Sequence, residues 1–363
     1  MSIVGSSCLY RFCLVQYLGF KEILLRIKMN KTIGICGHLK TGCSTFASLL
    51  REFDETQLLD CEFQIAYMAD GLEDLEHGLK GRYVNGFVAI ERFRRNAKRV
   101  FSFSGINKKE SERIINEFLN KITQLSWRGG SASMDFYLRS PLIKTITKAI
   151  HKFRLNKIYK NINKPFYYKK MLSVIPDNFT EASKGFVSDF LSLKGIDYYN
   201  KEKMFTIIDQ AFTANDPVRC FKYFENPMAI IVDRDPRDYY IFVKNFLTGI
   251  RNDSYLPYDN VNDFIKWFRL VRRHPAGLRD RNDVIFFNFE ELVHDYENTV
   301  KKVSEFVGVT KHFHKREFFN PEHFRCYTQL FKSDRKYESD IKTIERDLTE
   351  YLFPFENYPD IKL

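Results

Sequence analysis

The sequence predicts an α/β protein with a central parallel sheet, helices on both faces, a phosphate loop after the first strand, and a helical insertion. A short apolar strand at 32–36 is followed by a glycine-bounded loop, Gly37–Ser44, and an amphipathic helix, the opening unit of nucleotide-binding α/β folds. Three further apolar runs are continuous, as expected for parallel strands that are covered by helices on both faces. These runs are Met204–Ile208, Met228–Val232 and Val284–Phe287. Between about residues 70 and 200 the pattern is helical, with no clear strand.

The chain has 363 residues and no Pro-, Gly- or Ser-rich linker. We therefore expect one domain, 31–363, with the insertion at about 70–200, after an N-terminal extension, 1–30. Residues 8–27 are apolar but carry several charges, too many for a membrane span. Two interpretations of the extension stay open: an amphipathic helix, or a segment upstream of a natural start at Met29.

The composition limits the partners and the compartment. The formal net charge of +11 favours an anionic partner such as a nucleotide, an acidic glycan, nucleic acid or a membrane surface. Seven cysteines are scattered, form no CxxC pair and lie near no histidine at metal-ligand spacing, so no zinc site is expected. A reduced, cytoplasmic setting fits this usage of cysteine.

The insertion is predicted to contain four helices and to lie over the carboxyl edge of the sheet, where such folds bind ligands. The predicted helices lie around 87–100, 108–125, 140–160 and 181–193. From Asp135 to Asp177 the chain has ten basic residues and no intervening acidic one. This basic stretch is either a solvated face or a landing surface for an anionic glycan or acidic lipid headgroups, with peripheral membrane contact. No RNA- or DNA-binding motif is present.

The loop Gly37–Ser44 has the outline of a Walker A loop, but its lysine is displaced. Walker A has the lysine directly after the second glycine, where this chain has Cys43, whereas Lys40 comes two residues before Gly42. Backbone N–H groups and a helix N-terminus can still surround an oxyanion, and the cation approaches from a different side.

The segment Lys40–Thr45 resembles the 5′-phosphosulfate loop of sulfotransferases that use 3′-phosphoadenosine-5′-phosphosulfate (PAPS). It is most similar to the G-x-x-K-T-G-T-T form of glycan-type members. The resemblance implies that the loop binds PAPS and releases 3′,5′-ADP (PAP), without a metal. The residues implied to bind the nucleotide here are Lys40, Thr41, Gly42, Cys43, Ser44 and Thr45.

A second segment, Ile230–Asp238, resembles the 3′-phosphate motif of the same family, R-x-P-x-D after a buried strand. The resemblance implies that Arg234 binds the 3′-phosphate, and bidentate guanidinium–phosphate pairing suits arginine there. We also expect Asp238 to cap the next helix. The family usually has a serine eight residues after the arginine, but this chain has Phe242, so another hydroxyl, Tyr239 or Tyr240, is expected to help.

A third segment, Phe286–Val293 with the helix that ends at Gly308, resembles a late structural unit of the family. The tail after Gly308 is expected to close on the nucleotide. Its candidate residues are Arg325, Thr328, Gln329 and Lys332.

Sulfuryl transfer resembles phosphoryl transfer, in which catalysis is mostly positioning and electrostatic stabilisation. Lys40 is the expected cation at the leaving oxygen. Glycan and tyrosyl-protein sulfotransferases resemble each other in using a glutamate some twenty-odd residues after that cation, and Glu62 lies 22 residues after Lys40. Glu62 is therefore the candidate general base, and Asp209 is the reserve. We expect Glu62 to follow a strand adjacent to the loop strand, so that it emerges at the same sheet edge as Lys40.

The predicted function is transfer of a sulfuryl group from PAPS to a hydroxyl or amine of a saccharide, polysaccharide or glycolipid, anionic acceptors included. Two alternatives stay open. One is a P-loop kinase of a small metabolite, against which the displaced lysine and the lack of a recognised Walker B aspartate count. The other is a basic nucleic-acid or membrane-binding module without catalysis.

Overall fold

The computed structural model describes residues 30–80, 83–129, 168–172, 178–198, 202–247, 256–313 and 315–358, with a few single positions between them. The N-terminal extension and the helix predicted at 140–160 lie outside the described residues, as does most of the basic stretch.

A five-stranded sheet forms the centre of the fold, and all its neighbouring strands are parallel. Its strands are β1 (Lys31–Gly37), β2 (Thr56–Leu58), β5 (Phe205–Asp209), β6 (Pro227–Asp233) and β7 (Val284–Asn288), in the spatial order β2-β5-β1-β6-β7. The predicted α/β class with a parallel sheet is confirmed. The runs that predicted the strands are continuous because both sheet faces are covered, and β5 is buried along its whole length.

The α-helices of the described residues connect these strands, form the insertion or follow the last strand. They are α1 (Cys43–Leu50), α2 (Leu72–Leu79), α3 (Tyr83–Phe103), α4 (Lys108–Lys121), α5 (Phe179–Leu193), α6 (Val218–Phe221), α7 (Pro236–Phe242), α8 (Val261–Val271), α9 (Phe289–His294), α10 (Tyr296–Val307), α11 (Leu330–Ser333) and α12 (Glu338–Asp347). Three of the four predicted insertion helices are thus present, as α3, α4 and α5. Gly308 ends α10 with a left-handed φ of 89°, as expected for a C-cap glycine.

One prediction about the insertion is wrong. The insertion contains a two-stranded antiparallel ribbon, β3 (Leu125–Gly129) and β4 (Tyr168–Leu172), where the sequence showed no clear strand. Each strand has only five residues, and its partner is far away in the chain. Strands so short and so polar leave no reliable alternation in the sequence.

Three apolar clusters hold these elements together. Helices α1 and α10 cover one face of the sheet, with Phe46 and Val303 in that cluster. Helices α2 to α5 pack over the other face around stacked rings, among them Phe63 and Phe190, whose centroids are 4.1 Å apart. The third cluster joins α7, α8 and α12. Within the described ranges, no helix is both long and apolar enough to cross a membrane.

Candidate functional site

The strand order decides which side chains meet at the carboxyl edge of the sheet. The loop after β1 lies in the middle, with the ends of β5 and β2 on one side and those of β6 and β7 on the other. Ligands of open α/β sheets bind at this edge. A cavity of about 610 Å³ lies there and is lined by the loop, by a polar wall of Glu62, Gln64 and Gln210, and by a wall of Arg234 and aromatic side chains.

The phosphate loop turns sharply into α1. Gly42 has a left-handed φ of 106°, and a Cβ there would lie 2.5 Å from the ring of Phe289, so only glycine fits. The first hydrogen bond within the helix runs from the N–H of Phe46 to the carbonyl of Gly42. The N–H groups of the first helical turn therefore have no partner within the helix and are suited to bind an anion.

The side chains of the loop divide between the cavity and the core. Lys40, Ser44 and Thr45 line the cavity, together with Gly42 and Cys43. Lys40 has a left-handed φ of 63°, which is uncommon for a lysine. Thr41 does not line the cavity, because it is fully buried and its hydroxyl donates to the carbonyl of His38 at 2.9 Å.

Asp209 ends β5, the strand next to the loop strand, and contacts the loop directly. The hydroxyl of Ser44 donates to Oδ2 of Asp209 at 2.6 Å. The other oxygen, Oδ1, is buried without a hydrogen-bond partner. Burial raises the pKa of Asp209, and the nearby charge of Glu62 adds to that shift against the lowering effect of the Ser44 hydrogen bond.

Glu62 reaches the cavity by a route that the sequence did not predict. We expected it to follow a strand adjacent to β1, and this is wrong, because β5 lies between β1 and β2. The segment after β2 instead crosses the end of β5, where the N–H of Phe63 donates to the carbonyl of Asp209 at 3.2 Å. This crossing brings Glu62 to the polar wall, where it is exposed and accepts a 2.9 Å hydrogen bond from Gln64.

Arg234 lies on the opposite wall and is only 4% exposed. Its guanidinium carbon lies 4.5 Å from the ring centroid of Phe242 and 5.1 Å from that of Phe289, so two rings contact the cation. Nη2 donates to the carbonyl of Tyr327, and Nε is buried without a partner. Burial lowers the pKa of Arg234, although Glu290 and Asp238 oppose that shift.

Three buried carboxylates lie behind Arg234, and one of them corrects a prediction. The cap of α7 is Asp235, not Asp238, because its side chain accepts from the N–H of Arg237 at 2.8 Å. Asp238 instead accepts from the backbone N–H groups of Gln329 and Phe331, at 2.6 and 3.4 Å. The third carboxylate, Glu290, accepts from the N–H of Asp235 at 3.1 Å, and burial raises its pKa well above the usual range.

The remaining candidates make contacts outside the cavity lining. Tyr240 donates to Asp340 at 2.8 Å in the third cluster. Thr328 is fully buried and lies 2.9 Å from Nε2 of His294, and Arg325 pairs with Glu322 at 2.9 Å. From the same tail, the cavity is lined by Phe324 and Tyr327.

The sequence did not predict the aromatic wall, which consists of Phe242, Phe289, Phe324 and Tyr327. Phe289 directly follows the carboxyl end of β7, and that position was a usable signal. Phe324 and Tyr327 lie in a seven-residue 3₁₀ segment, Pro321–Tyr327, with no such signal. Across the described ranges, no three His, Cys, Asp or Glu side chains come together as a metal site.

No family model matches the chain, and no curated protein matches it. Among solved structures it is similar to a sulfotransferase domain from the curacin biosynthetic pathway, with 11% identity, a TM-score of 0.36, and coverage of 88% of this chain and 98% of that one. It is also similar to retinol dehydratase in complex with androsterone and inactive cofactor PAP, with 12% identity, a TM-score of 0.31, and coverage of 92% and 82%. A sulfotransferase domain is thus among its structural neighbours.

Proposed function

We propose that this protein is a PAPS-dependent sulfotransferase that transfers a sulfuryl group to a hydroxyl or amine of a saccharide, polysaccharide or glycolipid. The observation that carries the proposal is the meeting of three groups in one cavity: the loop with Lys40, the buried guanidinium of Arg234, and the carboxylate of Glu62. Each group lies in a segment that follows a different strand of the sheet, and these segments meet at the carboxyl edge.

The cavity suits a nucleotide with phosphates at two separate positions. The loop offers the N-terminus of α1, Lys40 and the hydroxyls of Ser44 and Thr45 to one anion. Arg234 offers a second anion site across the loop, and its buried Nε lacks a partner within the protein. A buried donor without a partner costs free energy, which a bound phosphate oxygen would recover. These features support binding of a 5′-phosphosulfate and a 3′-phosphate.

PAPS would supply the sulfuryl group and a phosphate leaving group. Lys40 would stabilise the negative charge that develops on the oxygens at the loop, which is the main source of catalysis in transfers of this kind. Lys40 has a left-handed backbone conformation within the loop, and its side chain is exposed there.

Glu62 would accept the proton of the acceptor hydroxyl. It is exposed at the polar wall, and the amide of Gln64 orients one of its oxygens at 2.9 Å. Asp209, the reserve candidate, is 8% exposed and already accepts the Ser44 hydroxyl. An exposed, oriented carboxylate is better placed to meet an acceptor than a buried one that is already engaged.

A saccharide acceptor is supported by the same wall and by the form of the loop. The side chains of Glu62, Gln64 and Gln210 are planar and polar, and they can pair with adjacent sugar hydroxyls. The loop resembles the form found in glycan-type sulfotransferases. An anionic acceptor would rely on the basic stretch, most of which lies outside the described residues.

A small-metabolite kinase is the second candidate, and one observation favours it. A loop serine paired with an aspartate at the end of the adjacent strand is the arrangement that holds Mg²⁺ in P-loop nucleoside triphosphatases. Ser44 and Asp209 have this relationship. The displaced lysine and the anion site at Arg234 favour the sulfotransferase instead.

The test is nucleotide binding by isothermal titration calorimetry. A sulfotransferase binds PAP without Mg²⁺ and binds ATP far more weakly. A kinase binds ATP with Mg²⁺ and gains nothing from a 3′-phosphate. A protein that binds neither nucleotide would support the non-catalytic basic module, and the proposal would be wrong.

A further inference from the structure

The hydroxyl of Ser44 donates away from the cavity, although a loop that binds an anion needs donors directed into it. A serine hydroxyl has one proton to donate, and that of Ser44 goes to Asp209 at 2.6 Å. In this arrangement Ser44 presents only lone pairs to the cavity that it lines. An anion oxygen in the loop would meet an acceptor where it needs a donor.

A second obstacle to anion binding is the carboxylate of Asp209 itself, which lies beside the same loop. The groups that face it come from every element around it: Ser44 and Cys43 on α1, Cys36 on β1, Glu62 after β2, and the N–H of Gln210. Among the described residues, none forms an ion pair with Asp209. A negative charge on Asp209 would therefore repel a bound phosphate without compensation.

Protonation of Asp209 removes both obstacles at once. A protonated carboxyl donates its O–H to Ser44, which frees the serine proton to point at the anion. The same proton cancels the negative charge beside the loop. The surroundings of the carboxyl favour its neutral, protonated form, because Oδ1 is buried without a partner and the side chain is only 8% exposed. Burial, with the charge of Glu62, also raises the pKa of Asp209.

We propose that Asp209 is a positioning residue for Ser44, and that an anion enters the loop together with one proton from solvent, which Asp209 binds. The proton leaves again when the anion leaves. This inference rests on the proposed function only in taking the 5′-phosphosulfate as the natural anion. The inference also distinguishes between the two candidate bases, because a protonated Asp209 cannot take the proton of the acceptor hydroxyl, whereas Glu62 can.

The experiment counts protons during PAP binding at pH 8, by calorimetry in two buffers that differ in ionisation enthalpy. At this pH the phosphates of PAP are fully ionised, since their second pKa is about 6, so proton uptake reports the protein. We expect uptake approaching about one proton per PAP in the wild type, and an affinity that weakens by up to about tenfold per pH unit above neutrality.

Asp209→Asn should abolish this linkage without abolishing binding. The amide is neutral and can donate to Ser44, so it imitates the protonated carboxyl. We expect uptake near zero, PAP affinity at pH 8 equal to or above that of the wild type, and a flat pH profile. A merely structural role for Asp209 would lower affinity at every pH and leave the proton count unchanged.

Two control variants test the assignment. Glu62→Gln removes the carboxylate that lines the cavity and should keep most of the uptake. Ser48→Ala removes a hydroxyl on the same helix, which donates to the carbonyl of Ser44, and should change neither proton count nor affinity. Uptake that is lost in Glu62→Gln but kept in Asp209→Asn overturns the proposal.

Four outcomes in the wild type decide the rest, even if Asp209→Asn does not fold. PAP binding without proton uptake overturns the inference and leaves the proposed function standing. Binding that requires Mg²⁺ and takes up no proton overturns both and assigns Ser44 and Asp209 to a metal. If PAP does not bind but inorganic sulfate, which is fully ionised at pH 8, binds with proton uptake, the proposed function fails and the inference stands. A protein that binds neither anion overturns both.

Discussion

Asp238 accepts a 2.6 Å hydrogen bond from the backbone N–H of Gln329, which joins the start of α7 to the C-terminal tail. Asp238 and Gln329 are each connected to Arg234. Asp238 lies four residues after Arg234, and Gln329 lies two residues after Tyr327, whose carbonyl accepts from the guanidinium. The wall around Arg234 therefore depends on a contact between two distant segments of the chain.

We predict that Asp238→Ala loosens the tail and weakens PAP binding together. The change leaves two backbone N–H groups without their buried acceptor, which costs about 1–3 kcal/mol. Hydrogen exchange at Gln329 and Phe331 should become faster, and the Kd for PAP should rise. Asp340→Asn is the control, because Asp340 accepts a hydrogen bond from Tyr240, which lies on the same helix α7 as Asp238. Unchanged exchange at Gln329 in Asp238→Ala would contradict the prediction.

Lys40→Ala should abolish turnover while it weakens PAP binding only modestly. PAP lacks the sulfuryl group whose transfer the lysine stabilises, so the loss should fall mainly on the transition state. Turnover is measured with PAPS and affinity by calorimetry. Lys342→Ala, on the exposed face of α12, is the matched control and should behave as the wild type. Near-wild-type turnover in Lys40→Ala would remove the loop from the mechanism.

Arg234→Ala should raise the Kd for PAP by about 10- to 100-fold, the effect of losing a charge-assisted pair of roughly 1.5–3 kcal/mol. Adenosine 5′-phosphosulfate lacks the 3′-phosphate, so its affinity should change far less. Arg237→Ala is the control within the same motif, because its guanidinium is tied to Asp235 and Glu345. It should cost stability without selecting between the two nucleotides. Equal losses for both nucleotides in Arg234→Ala would make that residue structural.

Glu62→Gln should reduce the turnover number by about 10²- to 10⁴-fold, the usual effect of losing a general base. Glutamine keeps the shape and the contact with Gln64 but removes the basicity, so PAP affinity should survive. Asp60→Asn, which loses a surface pair with Lys194, is the neighbouring control. Full activity in Glu62→Gln, with loss in Asp209→Asn, would assign the base to Asp209 and place the acceptor beside β5.

Glu55 should contribute a stability that depends on pH. Burial alone would raise the pKa of Glu55, but hydrogen bonds from the hydroxyl and N–H of Thr310 and the N–H of Lys311 outweigh it and lower the pKa. A lowered folded-state pKa stabilises the protein above the unfolded value of about 4.3, and this stability is lost as the pH falls through the folded value. Glu55→Gln should therefore cost about 1–2 kcal/mol at pH 7 and nearly nothing at the acid end of the folded range.

The measurement is urea unfolding of the wild type and Glu55→Gln at pH 7 and at successively lower pH. Asp54→Asn, at an exposed neighbouring position, should lose no stability at any of these values. If the free energy of unfolding lost in Glu55→Gln stays constant as the pH falls, the carboxylate charge of Glu55 is not responsible for that loss.

The sequence by itself determined the order of the elements and the candidates for the chemistry. Strand, loop and helix around Lys40 follow from local patterns: a continuous apolar run, a glycine-bounded loop, and helical spacing. Arg234 was predicted from the resemblance of Ile230–Asp238 to a family motif, which directly follows a buried strand. Such signals lie within about ten residues of one another, where periodicity and turn chemistry act.

Only the tertiary structure decided which of these residues meet. The strand order places β5 between β1 and β2, so Asp209 rather than Glu62 contacts the loop serine, and Glu62 arrives across the end of β5. The tertiary structure also connects Asp238 to the backbone N–H of Gln329 and brings Phe324 and Tyr327 beside Arg234. These contacts join segments that are far apart in the chain. Burial and packing select them, and no local pattern in the sequence encodes that selection.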